Sequence, residues 1–292
     1  MRNAGFLASL ILASLGSLVL SCNAGEARPD PALRPSLESV YEEWRQSMAT
    51  GNLQQWEAST AFSRQIETKN RIISQRLPFP AALFEDPIGS PSLGGLLSLG
   101  VLSTGETATS TYFGKANFGT DPETPISDNL IVLHFLKEEG RWKFDSLRIV
   151  KLGNDGEILL KLRNSDFSFL SGEEFQPADQ LPPLQQPVNP PELLAEAWID
   201  CTGYEVDITI NGHRLGKFTN AKTTELVMGG VKKGNNTIQI QSVRRAELTD
   251  SAPRFEFAIY AAESAGSEAK RVLHIKKEGD LPPTMQESFS GQ

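Results

Sequence analysis

The chain has 292 residues, of which 39% are hydrophobic and 22% charged, with a net charge of −8. This is the composition of a globular protein with room for two ordinary domains. Its acidic balance excludes DNA or RNA as the main partner, because phosphate binding needs a concentrated basic surface. Two cysteines exclude a disulfide framework or a Cys-rich zinc site, and the three histidines, His134, His213 and His274, are scattered. No metal and no other cofactor is expected.

Arg2 precedes an apolar run of 15 residues, Phe6 to Leu20. A spanning helix needs roughly 20 residues, so a positive head and a short apolar stretch read as an export signal. The string Val19-Leu20-Ser21-Cys22 resembles the lipobox of bacterial lipoproteins, departing from it at Leu20, where a small residue is commoner. The resemblance implies loss of residues 1–21, acylation of the Cys22 thiol and a membrane partner reached through the lipid anchor. Each buried CH₂ of such an anchor contributes roughly 0.8 kcal/mol. Asn23 after the cysteine implies the cell envelope at the outer membrane, facing the periplasm or the surface. Ordinary cleavage after Ala24 or Ala27 is the alternative. Cys201 is then the one remaining cysteine and reads as a buried core thiol.

Residues 22–35 are small, polar and Pro-containing, a tether. Ser36 reads as a helix cap, followed by Leu37, Val40, Tyr41, Trp44 and Met48 at helical spacing, with Gly51 as the stop. Asn52 caps a short second helix carrying Leu53 and Trp56. A third helix is expected from Ser63 to Leu77, with Ile66, Ile73 and Leu77 as its stripe, ended by Pro78 and Pro80. In the stretch 89–103, Ser90, Pro91 and Gly100 favour a short helix. Strands follow at Thr107–Phe113, Leu130–Leu136 and Trp142–Val150, the last two as a hairpin about Glu138-Glu139-Gly140. Gly153-Asn154-Asp155-Gly156 reads as a turn, and Glu157–Leu162 as one more strand. Helices first and an antiparallel sheet after is an α+β order.

Those helices, with WRQSMATGNLQQW, and the closing hairpin NLIVLHFLKEEGRWKFDSLRIV resemble the ketosteroid-isomerase-like (nuclear-transport-factor-like) cone fold over residues 36–176. The resemblance implies helices packed on a curved antiparallel sheet, and a fold shared by isomerases, dehydratases and non-catalytic binding or scaffolding domains. Fold alone does not choose among these.

Six prolines in and around 177–194 predict a semi-rigid extended linker. From 195 to 277 short strands alternate with turns, as in a sandwich. Asn211-Gly212 is a hairpin signal, since both central residues need positive φ. The string VDITINGHRLGKF and the later KKGNNTIQI resemble the jelly-roll or galactose-binding-like accessory domains found beside some glycosidases. The shared residues are turns and core strands. Residues 278–292 read as a flexible polar tail.

No GxSxG, Walker loop or GxGxxG is present. In the cone resemblance His134 is the foremost candidate for an acid–base role, no catalytic residue is assigned, and Tyr112 and His134 are the candidate ligand-binding residues of this domain. Strand parity bears on His134. An even hairpin loop puts Leu133 and Phe135 with Trp142 and Phe144, and His134 with Lys143 and Asp145 on the more polar face. The interior is then expected to hold Trp44, Ile131, Leu133, Phe135, Trp142 and Phe144, with no His–carboxylate pair lining a pocket in 36–176. Tyr204 and Arg214 are the residues that could present an aromatic–cation surface to a sugar. The favoured reading is a non-catalytic binding or scaffolding lipoprotein whose partner is an envelope protein or glycan. Carbohydrate recognition by the sandwich comes second, and a small-molecule enzyme third.

Overall fold

The computed structural model describes residues 26–85, 90–116, 128–152, 156–249 and 252–291. The export signal, Cys22 and most of the Gly153–Gly156 turn lie outside the described residues. No helix among the described residues is long and apolar enough to cross a membrane.

The first half is a five-stranded antiparallel sheet in sequential order, β1 (Arg28–Pro29), β2 (Leu97–Ser103), β3 (Thr107–Lys115), β4 (Asp128–Glu138) and β5 (Arg141–Lys151). Four helices precede or interrupt it: α1 (Arg34–Thr50), α2 (Leu53–Ser59), α3 (Phe62–Ser74) and α4 (Ala81–Glu85). Local chemistry sets their limits. Pro35 sits in the first turn of α1, and Gly51 ends it at φ 66°, a conformation glycine adopts without a Cβ penalty. Asn52 caps α2, its side chain accepting from the Gln55 N–H at 3.1 Å.

Strand β4 feeds two layers through its alternation. Ile131, Leu133 and Phe135 face α1, in one core with Leu37, Tyr41 and Phe144. Leu130 and Val132 face the other way, toward Phe175 and a helix α5 (Gly156–Arg163). Helix α5 replaces the strand expected at Glu157–Leu162. Ile158, Leu159 and Leu162 fall on one helical face against this second layer, and Glu157 pairs with Lys161 one turn on at 2.9 Å. The helix expected within 89–103 is likewise strand β2. A bulge between Ser98 and Gly100 makes Leu99 the extra residue. Leu99 therefore joins the second layer while Val101 joins the first, so the run lacks a clean period of two.

The second half is a sandwich-like pair of four-stranded antiparallel sheets, and the whole chain is α+β. Its strands are β6 (Leu194–Asp200), β7 (Tyr204–Ile210), β8 (His213–Thr219), β9 (Lys222–Leu226), β10 (Asn235–Arg244), β11 (Arg254–Ala262), β12 (Lys270–Glu278) and β13 (Thr284–Ser290). The sheet orders are β13-β10-β7-β8 and β12-β11-β6-β9. Val206, Ile208, Ile238 and Ile240 of one sheet meet Ala197, Ile199, Phe255 and Phe257 of the other in a closed core. Asn211 and Gly212 turn β7 into β8 at φ 51° and 84°, as the sequence leads one to expect. The segment 278–292 is not a free tail. Strand β13 pairs with β10 over its whole length and buries Phe289. The two apolar residues of β13 that reach the core, Met285 and Phe289, flank Glu287, and this spacing hides the strand in the sequence.

The halves meet along the C-terminal end of α3. Asn70 is 2% exposed. Its Nδ2 donates to the Gln186 carbonyl at 2.9 Å and its Oδ1 accepts from the Val188 N–H at 3.0 Å. Ser74 donates to the Asn70 carbonyl at 2.6 Å and accepts from the Gly229 N–H at 2.8 Å. Arg76 donates to the carbonyls of Pro191, Glu192 and Glu263. The Pro-rich segment is therefore docked on α3 at Gln186–Glu192 rather than spanning open solvent. The buried side of α3 is Asn70, Ile72 and Ser74. Leu77 of the expected apolar stripe lies beyond the helix and is 45% exposed.

Candidate functional site

The helices do not close fully on the sheet. Between α1, α2, α3, α4 and β5 lies a pocket of about 420 Å³, within the range that holds a small organic molecule. Its apolar lining comes from Trp44 and Met48 of α1, Trp56 of α2, Ile72 of α3, Leu83 of α4, and Phe144 and Leu147 of β5. Trp44 and Phe144 lie with ring centroids 4.2 Å apart, and Tyr41 meets Phe144 edge-on at 5.4 Å.

The polar part of the lining comes from one bulge and one helix face. Strand β5 carries an extra residue between the pairs His134–Ser146 and Phe135–Phe144, and that residue is Asp145. At this edge strand the bulge lets its carboxylate reach the pockets on both sides of the sheet. Asp145 Oδ2 accepts from Ser146 Oγ at 2.9 Å and from Arg64 Nη2 at 3.4 Å. Arg64 Nη1 holds Glu67 at 2.8 Å. On α3, Arg64, Thr68, Arg71 and Ile72 share one face, at i, i+4, i+7 and i+8, and all four line the pocket. Arg71 is exposed at the mouth, and among the described residues no acid pairs with it. Thr60 Oγ1, Ser63 Oγ and Arg64 Nε are buried with no hydrogen-bond partner among the described residues.

His134 lies on the opposite face of the sheet. The two-residue loop Glu139-Gly140 gives the expected parity, with Phe135 opposite Phe144. The face taken for a polar one is nevertheless covered, by α5 and by the Pro-rich segment. His134 lines a pocket of about 380 Å³ with Asp145, Thr107, Ala178 and residues 180–183. The expectation that no His–carboxylate pair would line a pocket is therefore corrected, because the bulge carries Asp145 round the edge. No hydrogen bond joins His134 to Asp145, whose partners are Arg64 and Ser146. Burial lowers the His134 pKa below its ordinary value. Asp145 works against this, and Arg148 and Arg64 reinforce it.

Tyr112 points to the helical face, away from His134, since its cross-strand partner is Ile131. It is 1% exposed and bridges Ser110 Oγ at 2.8 Å and Glu38 Oε1 at 3.0 Å. Burial pushes its phenol up to about 12. These contacts make it a core residue. The sugar surface expected of Tyr204 and Arg214 does not form. Tyr204 takes the inward positions of β7 with Val206 and Ile208, where its hydroxyl meets the Gly279 carbonyl and the Leu281 N–H. Arg214 stays outside, paired through two nitrogens with Asp207 at 2.7 and 2.9 Å. Cys201 is fully buried, with its thiol pKa raised by burial. His274 bonds Glu256 on the sheet surface at 2.9 Å. Among the described residues no group of three or more His, Cys, Asp or Glu could hold a metal ion.

Sequence reasoning missed Arg64 and Arg71. The available signal was two arginines on the same α3 face as Ile72, where a solvated face would hold its charges opposite the apolar stripe. No protein family, no curated protein and no solved structure matches this chain.

Proposed function

We propose that this is an exported, lipid-anchored protein of the bacterial cell envelope with a non-catalytic binding role, and that its first half is a ketosteroid-isomerase-like cone that holds a small apolar molecule. The observation that carries this reading is the pocket between the helices and β5. Trp44, Trp56, Ile72, Leu83 and Phe144 form most of its wall, and the only carboxylate that the described residues bring to it, Asp145, is engaged by Arg64 and Ser146. A general base such as a free carboxylate or imidazole must lie in reach of a bound substrate, and among the described residues this lining offers neither. The test is saturable binding of the uncharged fluorophore N-phenyl-1-naphthylamine, expected at one site per chain and abolished by Thr68→Trp, which fills the mouth. Binding that survives this change, in a variant with unaltered melting, would place the probe elsewhere. The anchor is tested separately: Cys22→Ser should move the protein from the detergent fraction to the soluble periplasmic fraction.

A second reading, carbohydrate recognition by the sandwich, is favoured by residues other than Tyr204 and Arg214. Trp198 and Tyr260 share the outer face of the β6–β11 pair, where Trp198 opposes Ala258 and Tyr260 opposes Glu196. They are diagonal neighbours, roughly 7–8 Å apart. Tyr260 is 40% exposed, and Lys222 Nζ lies 5.6 Å from the Trp198 ring. Retardation in affinity gels containing envelope glycans, lost in the double variant Trp198→Ala with Tyr260→Ala, would support this role.

A further inference from the structure

We infer that the pocket between the helices and β5 selects an amphipathic anion, a monocarboxylate with an apolar body, whose carboxylate meets Arg71. The inference rests on the binding reading above and adds the class of ligand. It starts from the charges that the described residues bring to the lining, Arg64, Arg71 and Asp145. Arg64 is already matched, by Asp145 at 3.4 Å on one side and Glu67 at 2.8 Å on the other. Glu67 lies one helical turn before Arg71 and is the acid best placed to neutralise it, but its carboxylate is turned to Arg64. Arg71 is left as a cation at the mouth with no partner among the described residues. The wall behind it is aromatic and aliphatic. A molecule with one anionic end satisfies both regions at once, and the planar guanidinium suits a carboxylate through two parallel N–H donors.

The placement of the anion at Arg71 rather than Arg64 follows from the same geometry. Seven residues of helix separate them, about 10 Å along the axis. A carboxylate at Arg64 would lie beside Asp145 and Glu67, with like-charge repulsion. The inner end instead offers Thr60 Oγ1, buried with no partner among the described residues, which can bond a neutral polar group on the ligand.

The test compares decanoate with 1-decanol, both below the concentrations at which they self-associate. Quenching of Trp44 and Trp56 fluorescence reports occupancy, with competition against N-phenyl-1-naphthylamine as the check. The expected result is tighter binding of decanoate by roughly three- to tenfold at low salt, a size set by the exposure of Arg71. The preference should fall in high salt, vanish in Arg71→Gln and persist in the double variant Arg64→Gln with Glu67→Gln, which removes the Arg64 charge without freeing Glu67 to pair with Arg71. Equal binding of acid and alcohol would overturn the anion assignment and leave the apolar pocket standing. A preference that follows Arg64 instead of Arg71 would overturn the placement. Failure of both chains to bind or to compete would overturn the pocket reading itself.

Discussion

Helix α3 buries polar side chains at both of its ends, and the two ends differ in what those side chains find. At the C-terminal end, Asn70 and Ser74 are 2% and 0% exposed, and each of their side-chain polar atoms has a partner in the Pro-rich segment, the sandwich or α3 itself. At the N-terminal end, Thr60 Oγ1, Ser63 Oγ and Arg64 Nε are buried with none among the described residues. A buried polar atom without a bond costs about 1–3 kcal/mol, whereas a satisfied network rigidifies what it joins. One end therefore serves to fix the two halves together. The other keeps uncompensated polar groups beside a pocket, as a site for a ligand does.

The largest effect is expected at the satisfied end. Asn70→Ala removes both partners of the Pro-rich segment and leaves the Gln186 carbonyl and the Val188 N–H unpaired. Urea denaturation should show a loss of roughly 2–3 kcal/mol. A loss below about 0.5 kcal/mol would mean that the docking seen at this end contributes little, and the contrast between the ends would collapse. Arg76→Ala is expected to cost less, about 1 kcal/mol, because its guanidinium is at the surface. Its informative readout is proteolysis. Residues 179–184 are exposed, so limited cleavage is expected there. The two pieces should stay together on gel filtration in the wild type and separate more readily in Arg76→Ala.

A smaller effect should mark His134, which is on the far side of the sheet but shares Asp145 with the unsatisfied end. Burial is the main cause of its lowered pKa. Its neutral form is therefore favoured in the folded protein, and the unfolded chain takes up the proton first as pH falls. The corresponding stability is complete above about pH 6.5 and is lost as pH drops through the lower folded value. Melting temperatures at pH 7.5 and 5.0 should show a larger acid-induced drop in the wild type than in His134→Gln. An equal drop would assign the acid sensitivity to other groups.

Much of this architecture was open to a reading of the residues. The Glu139-Gly140 and Asn211-Gly212 loops dictate their hairpins through backbone conformation, Asn52 and Gly51 mark helix ends by capping, and Ile131, Leu133, Phe135 and Phe144 announce a core by alternation. Each of these signals is local. What stayed hidden depends on contacts distant in sequence or on a broken period. The bulges at Leu99 and Asp145 reverse parity in mid-strand. Strand β13 shows only Met285 and Phe289 on its inner face. Helix α5 is short enough for Ile158, Leu159 and Leu162 to pass for a strand. Asn70 and Ser74 look like ordinary solvated residues of a helix until residues 186–188 and 229 arrive beside them. The candidate site suffers twice, because its carboxylate sits on a bulge and its arginines gain meaning only beside the apolar wall that α1, α2, α4 and β5 bring to them.

The smallest effect is the sharpest test of the comparison. Thr60→Val exchanges a buried hydroxyl for a methyl group of similar shape, and valine keeps the β-branching that suits the extended backbone of Thr60, which bridges Phe144 at the sheet edge. If Thr60 Oγ1 makes no bond in the ligand-free protein, the change removes an uncompensated polar atom, and stability should hold within about 0.5 kcal/mol or rise slightly. The same exchange at a bonded hydroxyl, with Thr109 Oγ1 and its 2.7 Å bond to the Phe175 carbonyl as the control, should cost about 1–2 kcal/mol because the carbonyl is left behind. A loss at Thr60 equal to that at Thr109 would show that the hydroxyl is already satisfied, by solvent for example. The two ends of α3 would then be alike in energy and the pocket would lose its uncompensated donor. Neutral stability together with weaker binding of a ligand carrying a second polar group would instead tie the orphan oxygen to recognition rather than to folding.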